Sequence, residues 1–446
     1  MNENFLLKSD LAQQIYTCVK NLPIIDFHNH LPVKDIVENK VYKDFTELWI
    51  TTDPYKHRAM RILGIDEFYI TGQASNYDKF KKWSECVPML IGNPLYDWVT
   101  MELHQVFGID DPLNLETCDH IWNTVNAMLT QPDFTTEEIL KRFNISHSAP
   151  CCSLCDDVSF FSSSENYAPS LRGDDILSPT PALIQKLSEI VGFTIKSTDD
   201  YFSAIKMRLD AFHTVGCRFS DHALDDGFTF VDDHTNADLQ FERAINDKDY
   251  NKALLQSYIL TALAGMYASK DWTMQLHIGA HRHTSDRLRA IAGPAGGYAA
   301  AGCCDFSSII ELLNACENTE SGLPKTVLFP LNAVDSAAIS IISGSFAKDG
   351  AKALVQQGPA WWWCDHNLGI RNVLENIASY SVLSTFIGMT TDSRCLLSFV
   401  RHDYFRRVLS DWLADKIIAQ HYPDDMELIK ILAQKLCYYN AKELIG

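Results

Sequence analysis

Short apolar runs recur along the chain, and most are followed by a longer stretch in which apolar positions return every three or four residues. Eight runs read as strands: Ile24–His28, Ile145–Leu154, Tyr167–Leu171, Gly216–Ser220, Thr273–Ile278, Thr326–Leu331, Ala353–Gln357 and Phe386–Thr391. Helical periodicity fills the intervals, as in Pro181–Ile190, Asp199–His213, Asn251–Lys270, Ser307–Asn314 and Asn372–Ser384. Continuously apolar strands that alternate with helices belong to parallel sheets covered by helices. Eight such units predict an α/β fold, a distorted (β/α)8 TIM-like barrel, over an open doubly wound sheet. No G-x-G-x-x-G follows the first strand, which speaks against a dinucleotide-binding fold. The second and third strands are joined by a short Ser-rich link, which predicts a missing or degenerate helix there.

More than 100 residues separate the first two strands, too many for a bare loop. Residues 33–140 carry amphipathic and aromatic patterns, among them Phe45–Ile50, Tyr55–Leu63 and Leu95–Phe107. They read as a helical insertion over the barrel mouth, so the chain divides into 1–32 (the first strand), 33–140 (the insertion) and 141–446 (the rest of the barrel and C-terminal helices). His402–Gln434 is also helical in pattern.

Composition narrows the partners. Among 446 residues, 38 Lys and Arg stand against 57 Asp and Glu, a net charge of −19. Such a surface repels phosphate backbones and argues against nucleic acid as a partner. An anionic substrate would need locally placed arginines. No run of about 18 apolar residues occurs, so no membrane span is expected. The soft stretch from Gly293 to Cys304 reads as a Gly/Ala-rich loop. Thirteen scattered cysteines suit reduced thiols and a cytoplasmic location. Cys152 and Cys155 form one C-x-x-C without a second pair, so small buried thiols are the expectation there.

The sharpest local signal is Asp26-Phe27-His28-Asn29-His30 at the end of the first strand. Alternation puts His28 and His30 on one face, where two imidazoles can grip a divalent metal. A hydrogen-bonded pair of rim histidines gives the same spacing, and the residues alone leave both open. The last strand ends in Thr390-Thr391-Asp392-Ser393-Arg394. Closure of an eight-stranded barrel would bring Asp392 beside His28 and His30, completing a three-ligand site. An ion pair between Asp392 and Arg394 that caps the strand is the structural alternative. The fourth and fifth strands carry no lysine to bridge two metals, so one metal is expected. His222 and His277 end those two strands and could be ligands or proton donors. Arg172 follows the third strand and suits a carboxylate. Tyr55 lies in the insertion, and Trp361-Trp362-Trp363 with Asp365-His366 follow the seventh strand. His281 and His283 read as loop residues.

These residues resemble the uronate isomerases of the amidohydrolase superfamily. The similarity is carried by D-F-H-N-H-L at 26–31, Y-K-H-R-A-M-R at 55–61, G-C-R-F-S-D-H at 216–222 and W-T-M-Q-L-H-I-G-A at 272–280. It continues through A-W-W-W-C-D-H at 360–366, F-I-G-M-T-T-D-S-R at 386–394 and R-H-D-Y-F-R-R at 401–407. The resemblance implies aldose–ketose isomerisation of hexuronates, D-glucuronate to D-fructuronate and D-galacturonate to D-tagaturonate, by proton transfer through an enediol. A mononuclear metal hydrolase of the same superfamily is the alternative. It implies one divalent metal, expected to be zinc, on His28, His30 and Asp392. Asp392, Tyr55 and Arg394 would act at the reacting carbons, and Arg172, His222, His277 and Trp362 would bind substrate. A small-molecule uronic acid is the expected partner, with room for a homo-oligomer. Pro54 departs from the pattern, since the family commonly shows histidine there, and so does H-R-H-T-S-D-R at 281–287.

Overall fold

Seven of the eight runs become strands in the computed structural model, which describes residues 3–294 and 296–445. They are β1 Ile24–Asn29, β2 Ile145–Ser153, β3 Ser170–Arg172, β4 Phe219–Leu224, β5 Thr273–Ile278, β6 Thr326–Pro330 and β7 Val355–Gln357. Each pairs in parallel with the next, in chain order, to give one curled seven-stranded sheet among the described residues. All six residues of β1 and all six of β5 are buried, which explains their apolar runs without alternation. Register aligns the strand ends that matter: Arg172 lies opposite Asp221, and Ala223 opposite His277.

Phe386–Thr391 corrects the sequence reading, because it forms no ladder. It nevertheless occupies the eighth position of the ring. His30 N donates to Ser393 O at 2.8 Å, and Asp392 N donates to His28 O at 3.1 Å. The reason is local. Gly388 sits at φ +95°, where its backbone runs against the Leu436 carbonyl, so the segment bends as only glycine readily allows. Side chains then replace the missing ladder. Thr390 Oγ1 donates to Asp26 and accepts from His28 N at 2.9 Å.

Helices cover the outside of the sheet, including Pro181–Val191, Thr198–Thr214, Lys252–Ala268, Phe306–Glu317, Asn367–Tyr380 and Val400–Ile418. Their starts carry the expected signals. Ser197 and Asp200 form a reciprocal capping box, and the Asn251 side chain accepts from Leu254 N. The Ser-rich link between β2 and β3 holds only the short 3-10 turn Ser159–Ser163. Val400–Ile418 buries Arg401, Arg406 and Arg407. Arg406 donates to the carbonyls of Lys20 and Pro23, so a buried charge finds partners on the approach to β1.

Between β1 and β2 run the helices Phe45–Trp49, Pro54–Ile62, Asn76–Cys86, Pro94–Phe107, Cys118–Leu129 and Thr136–Arg142, with shorter turns. Their apolar faces meet in an aromatic cluster where Phe45 stacks on Trp49 at 4.5 Å and touches Phe80 and Phe107. This cluster is continuous with the core beneath β1, so these helices are anchored to the sheet. Gly293–Cys304, read as a plain loop, is more ordered than that: Ala300–Ala301 pairs antiparallel with Ala280–His281. No helix of the described residues is long and apolar enough to cross a membrane.

Candidate active site at the C-terminal strand ends

β1 delivers His28 and His30 to one end of the sheet, and the segment after Gly388 delivers Asp392 to the same place. His28 Nε2 lies 3.2 Å and His30 Nε2 3.1 Å from the same oxygen, Asp392 Oδ1. Asp392 holds φ +49°, a left-handed conformation that an aspartate adopts sparingly and that clusters at functional sites. Burial works against ionising Asp392, but hydrogen bonds from His28 and His30 overcome it and hold the carboxyl well below its ordinary pKa. Burial, with Arg172 and Arg394 nearby, pushes His30 down to about 4 against the contact with Asp392.

Asp26 locks this arrangement from beneath. It is fully buried and accepts from Thr390 Oγ1, Thr391 N, Thr391 Oγ1 and Asn29 Nδ2. His402 Nε2 stands 3.2 Å from its Oδ1. Burial opposes ionisation, but the bonds from His402 and Thr391 outweigh it and keep Asp26 below the usual carboxylate value.

These ligand-bearing ends open into a cavity of about 280 Å³, close to the lower end of small-ligand pockets, which begin near roughly 300 Å³. His28, His30, Tyr55, Arg172, His277, Trp362, Asp392 and Arg394 all line it. Eight of the nine residues expected at the site thus line one cavity. Arg172 donates to Asp221 at 3.0 Å and to Asp174 at 2.7 Å. Its burial is offset by those two carboxylates, which raise its pKa and keep it charged. Arg394 forms no salt bridge among the described residues, and burial lowers its pKa. His277 is held neutral, well below its ordinary value, by burial and by the adjacent His28. Trp362 stands at φ +52° and packs tilted against Trp361 and Trp363.

Tyr55 enters from the helix Pro54–Ile62, whose first N–H groups are capped by Asp53. Its hydroxyl donates to Asp365 Oδ2 at 3.3 Å. Arg401 Nη1 donates to the same oxygen at 3.2 Å, and its guanidinium lies 4.6 Å over the Tyr55 ring. Burial pushes Asp365 up to about 7 against the pull of Arg401. Burial and Asp365 raise Tyr55 well above its usual pKa, so it is a neutral phenol.

His222 is the exception. It is fully buried, does not line the cavity, and its Nε2 lies 3.0 Å from the Tyr267 hydroxyl. Gly173 packs directly against its ring. The expectation that His222 binds substrate is therefore replaced by a role behind the wall. His366 caps the helix Asn367–Tyr380 instead of facing the site. Three features were missed from sequence. Asp221 anchors Arg172 from β4. The Arg401–Asp365–Tyr55 group is drawn together from widely separated segments. Cys151 lies 3.3 Å from Asp221 Oδ1 and 3.6 Å from His28 Nδ1. The motif S-D-H at 220–222 contains the first of these.

The donor set fits a divalent metal. Two imidazole nitrogens lie 3.1–3.2 Å from one carboxylate oxygen, close to the edge of a tetrahedron about an ion with 2.0–2.1 Å bonds, roughly 3.3 Å. Nitrogen and oxygen donors together suit zinc and its first-row neighbours.

A family model described as glucuronate isomerase matches residues 1–445. A uronate isomerase of Caldanaerobacter subterraneus is 38% identical, with 100% of this chain and 99% of that protein covered. One of Oceanobacillus iheyensis is 37% identical over 99% of this chain and 97% of its own length. Among solved structures, the uronate isomerase of Thermotoga maritima superposes with a TM-score of 0.92 at 28% identity, covering 100% of this chain and 99% of the other. The glucuronate isomerase of Caulobacter crescentus shares the fold with a TM-score of 0.92 at 23% identity, over 100% and 96% of the two chains.

Proposed function

This chain belongs to the glucuronate isomerase family, and from that premise we propose how its residues carry out the reaction. The protein is an enzyme, an aldose–ketose isomerase of hexuronates, rather than a hydrolase built on the same donor set. We assign it D-glucuronate and D-galacturonate as aldose substrates, with D-fructuronate and D-tagaturonate as products.

The observation that carries the residue roles is the single cavity that His28, His30, Asp392, Arg172 and Arg394 all line. Arg172, fixed by Asp221 and Asp174, offers its remaining N–H groups to the substrate carboxylate, a pairing favoured by two parallel bonds. Isomerisation moves a hydrogen from C2 to C1, and C2–H is weakly acidic. Its removal requires positive charge where the oxyanion develops. Arg394, without a competing salt bridge, supplies a fixed charge at that position. A divalent ion held by His28, His30 and Asp392, expected to be zinc, supplies further positive charge when bound. Asp392 is our assignment for the base, with the proton returned to C1 on the same face. Tyr55, a neutral phenol, exchanges its bond to Asp365 for one donated to the substrate oxygen whose charge changes. His277, also neutral, completes the wall, and Trp362 packs against the sugar. Pro54 and Tyr55 come from residues 33–140, which we read as an insertion that completes the cavity. A cytoplasmic location accords with the free cysteines.

The test is turnover of D-glucuronate in D₂O with a coupled ketose assay. Deuterium appearing in product during early turnover supports the proton-transfer route. Full retention of the substrate hydrogen at early turnover would count against the enediol route.

A further inference from the structure

His28 presents two edges, and only one faces Asp392. Its Nδ1 edge looks toward a different group. Cys151 Sγ lies 3.6 Å from His28 Nδ1 and 3.3 Å from Asp221 Oδ1. His28 Nδ1 is 4.0 Å from Asp221 Oδ1, and His277 Nδ1 is 3.9 Å from Asp221 Oδ2. Donor atoms of His28, Asp221 and His277 all lie within 4.8 Å of one another. All three residues are buried, and His277 Nε2 has no hydrogen-bond partner.

We propose that Cys151, Asp221, His277 and the Nδ1 edge of His28 form a second cation position, selective for thiophilic divalent ions, that competes with the Asp392 position for His28. A tetrahedral ion with one sulfur and three nitrogen or oxygen ligands needs donor separations of about 3.3–3.6 Å. Four of the six donor pairs lie 3.3–4.0 Å apart, within a few tenths of an ångström of that range, the His277 contact being to the second Asp221 oxygen. Asp221 Oδ2 already accepts from Arg172 Nη1 at 3.0 Å, so the thiolate supplies the negative charge that an incoming ion meets. The ion–sulfur bond replaces the S–H bond, and the thiol proton leaves to solvent, with no change of oxidation state. Sulfur and imidazole select softer ions over magnesium or calcium.

Competition follows from the chemistry of imidazole. A neutral ring has one proton-free nitrogen. An ion on Nδ1 keeps the proton on Nε2, which then donates to Asp392 Oδ1 and is lost as a ligand at the first position. Filling the thiol position therefore disables the enzyme. That consequence rests on the function proposed above, whereas the binding itself does not.

The experiment is a cobalt(II) titration of chelator-treated protein, read as thiolate-to-cobalt absorption in the near ultraviolet. The wild type should develop the band. Cys151→Ser should lack it, and Asp392→Asn, which damages only the first position, should keep it. Absence of the band in the wild type, its persistence in Cys151→Ser, or its loss in Asp392→Asn would each overturn the proposal. A cadmium-113 NMR spectrum of the wild type is independent of any variant's folding. A resonance in the range for sulfur-containing ligation supports the site, and resonances of oxygen and nitrogen ligation alone overturn it. In the isomerase assay, half-inhibition of Cys151→Ser should need at least about tenfold more cadmium than the wild type, and equal sensitivity would end the competition argument.

Discussion

The Tyr55 hydroxyl donates to Asp365 Oδ2 at 3.3 Å, joining the helices that follow β1 to the loop that follows β7. Burial, against the pull of that bond and of Arg401, makes Asp365 a sensor of pH in the folded state. Its pKa is pushed from 3.8 to about 7, mainly by burial. A carboxyl raised on folding stabilises the fold fully below its unfolded value and loses that contribution as pH rises through the folded value. The window is thus about pH 4 to 7, and the loss is on the order of a few kcal/mol. Asp365→Asn, neutral throughout, should show a flatter melting temperature across this window than the wild type. Parallel melting curves for the two proteins would refute the assignment.

Asp392→Asn should lower kcat by about 10²–10⁴, the usual contribution of a positioned acid or base. It should also lower the bound-metal content measured by elemental analysis, because one of three donors loses its charge. Full activity with full metal content would exclude Asp392 from both roles.

Arg172→Ala should raise KM for glucuronate by about tenfold to a hundredfold, in line with roughly 1.5–3 kcal/mol for a charged hydrogen bond. Arg172→Lys should recover part of this, since charge returns without the fork geometry. Steady-state kinetics on both variants decide it, and an unchanged KM in Arg172→Ala would transfer the carboxylate to Arg394.

Asp26→Ala strips the acceptor from Thr390, Thr391, Asn29 and His402 at once. Removing one partner from a buried charged network costs roughly 3–5 kcal/mol. Urea unfolding should show that loss, and a shift below about 1 kcal/mol would mean that the network is dispensable.

Much of this was legible because barrel strands announce themselves by unbroken apolar runs. H-x-H on β1 and the Asp-Ser-Arg after Gly388 could be joined on paper once the ring was assumed to close. The manner of closure was not legible. Phe386–Thr391 has strand composition, yet Gly388 and the hydroxyls of Thr390 and Thr391 divert it from ladder pairing. His222 looked equivalent to His277 because both end strands, but only packing against Gly173 and Tyr267 reveals which way each ring turns. Asp365 and Arg401 each sit in a recognisable block, though nothing in linear spacing says that they flank one tyrosine. Cys151 reads as a small residue in a crowded strand until Asp221 and His28 are seen beside it.

Side-chain oxygens and two backbone bonds, in place of a ladder, fasten the last stave of the ring to its first. Cleavage anywhere between Gln357 and Gly388 would leave all seven strands covalently intact upstream and yet separate the two imidazoles from their carboxylate. Such a nicked protein could keep most of its circular dichroism while its catalytic wall depended on a noncovalent clasp of threonines around Asp26, so loss of turnover should precede loss of secondary structure when the fragments are diluted.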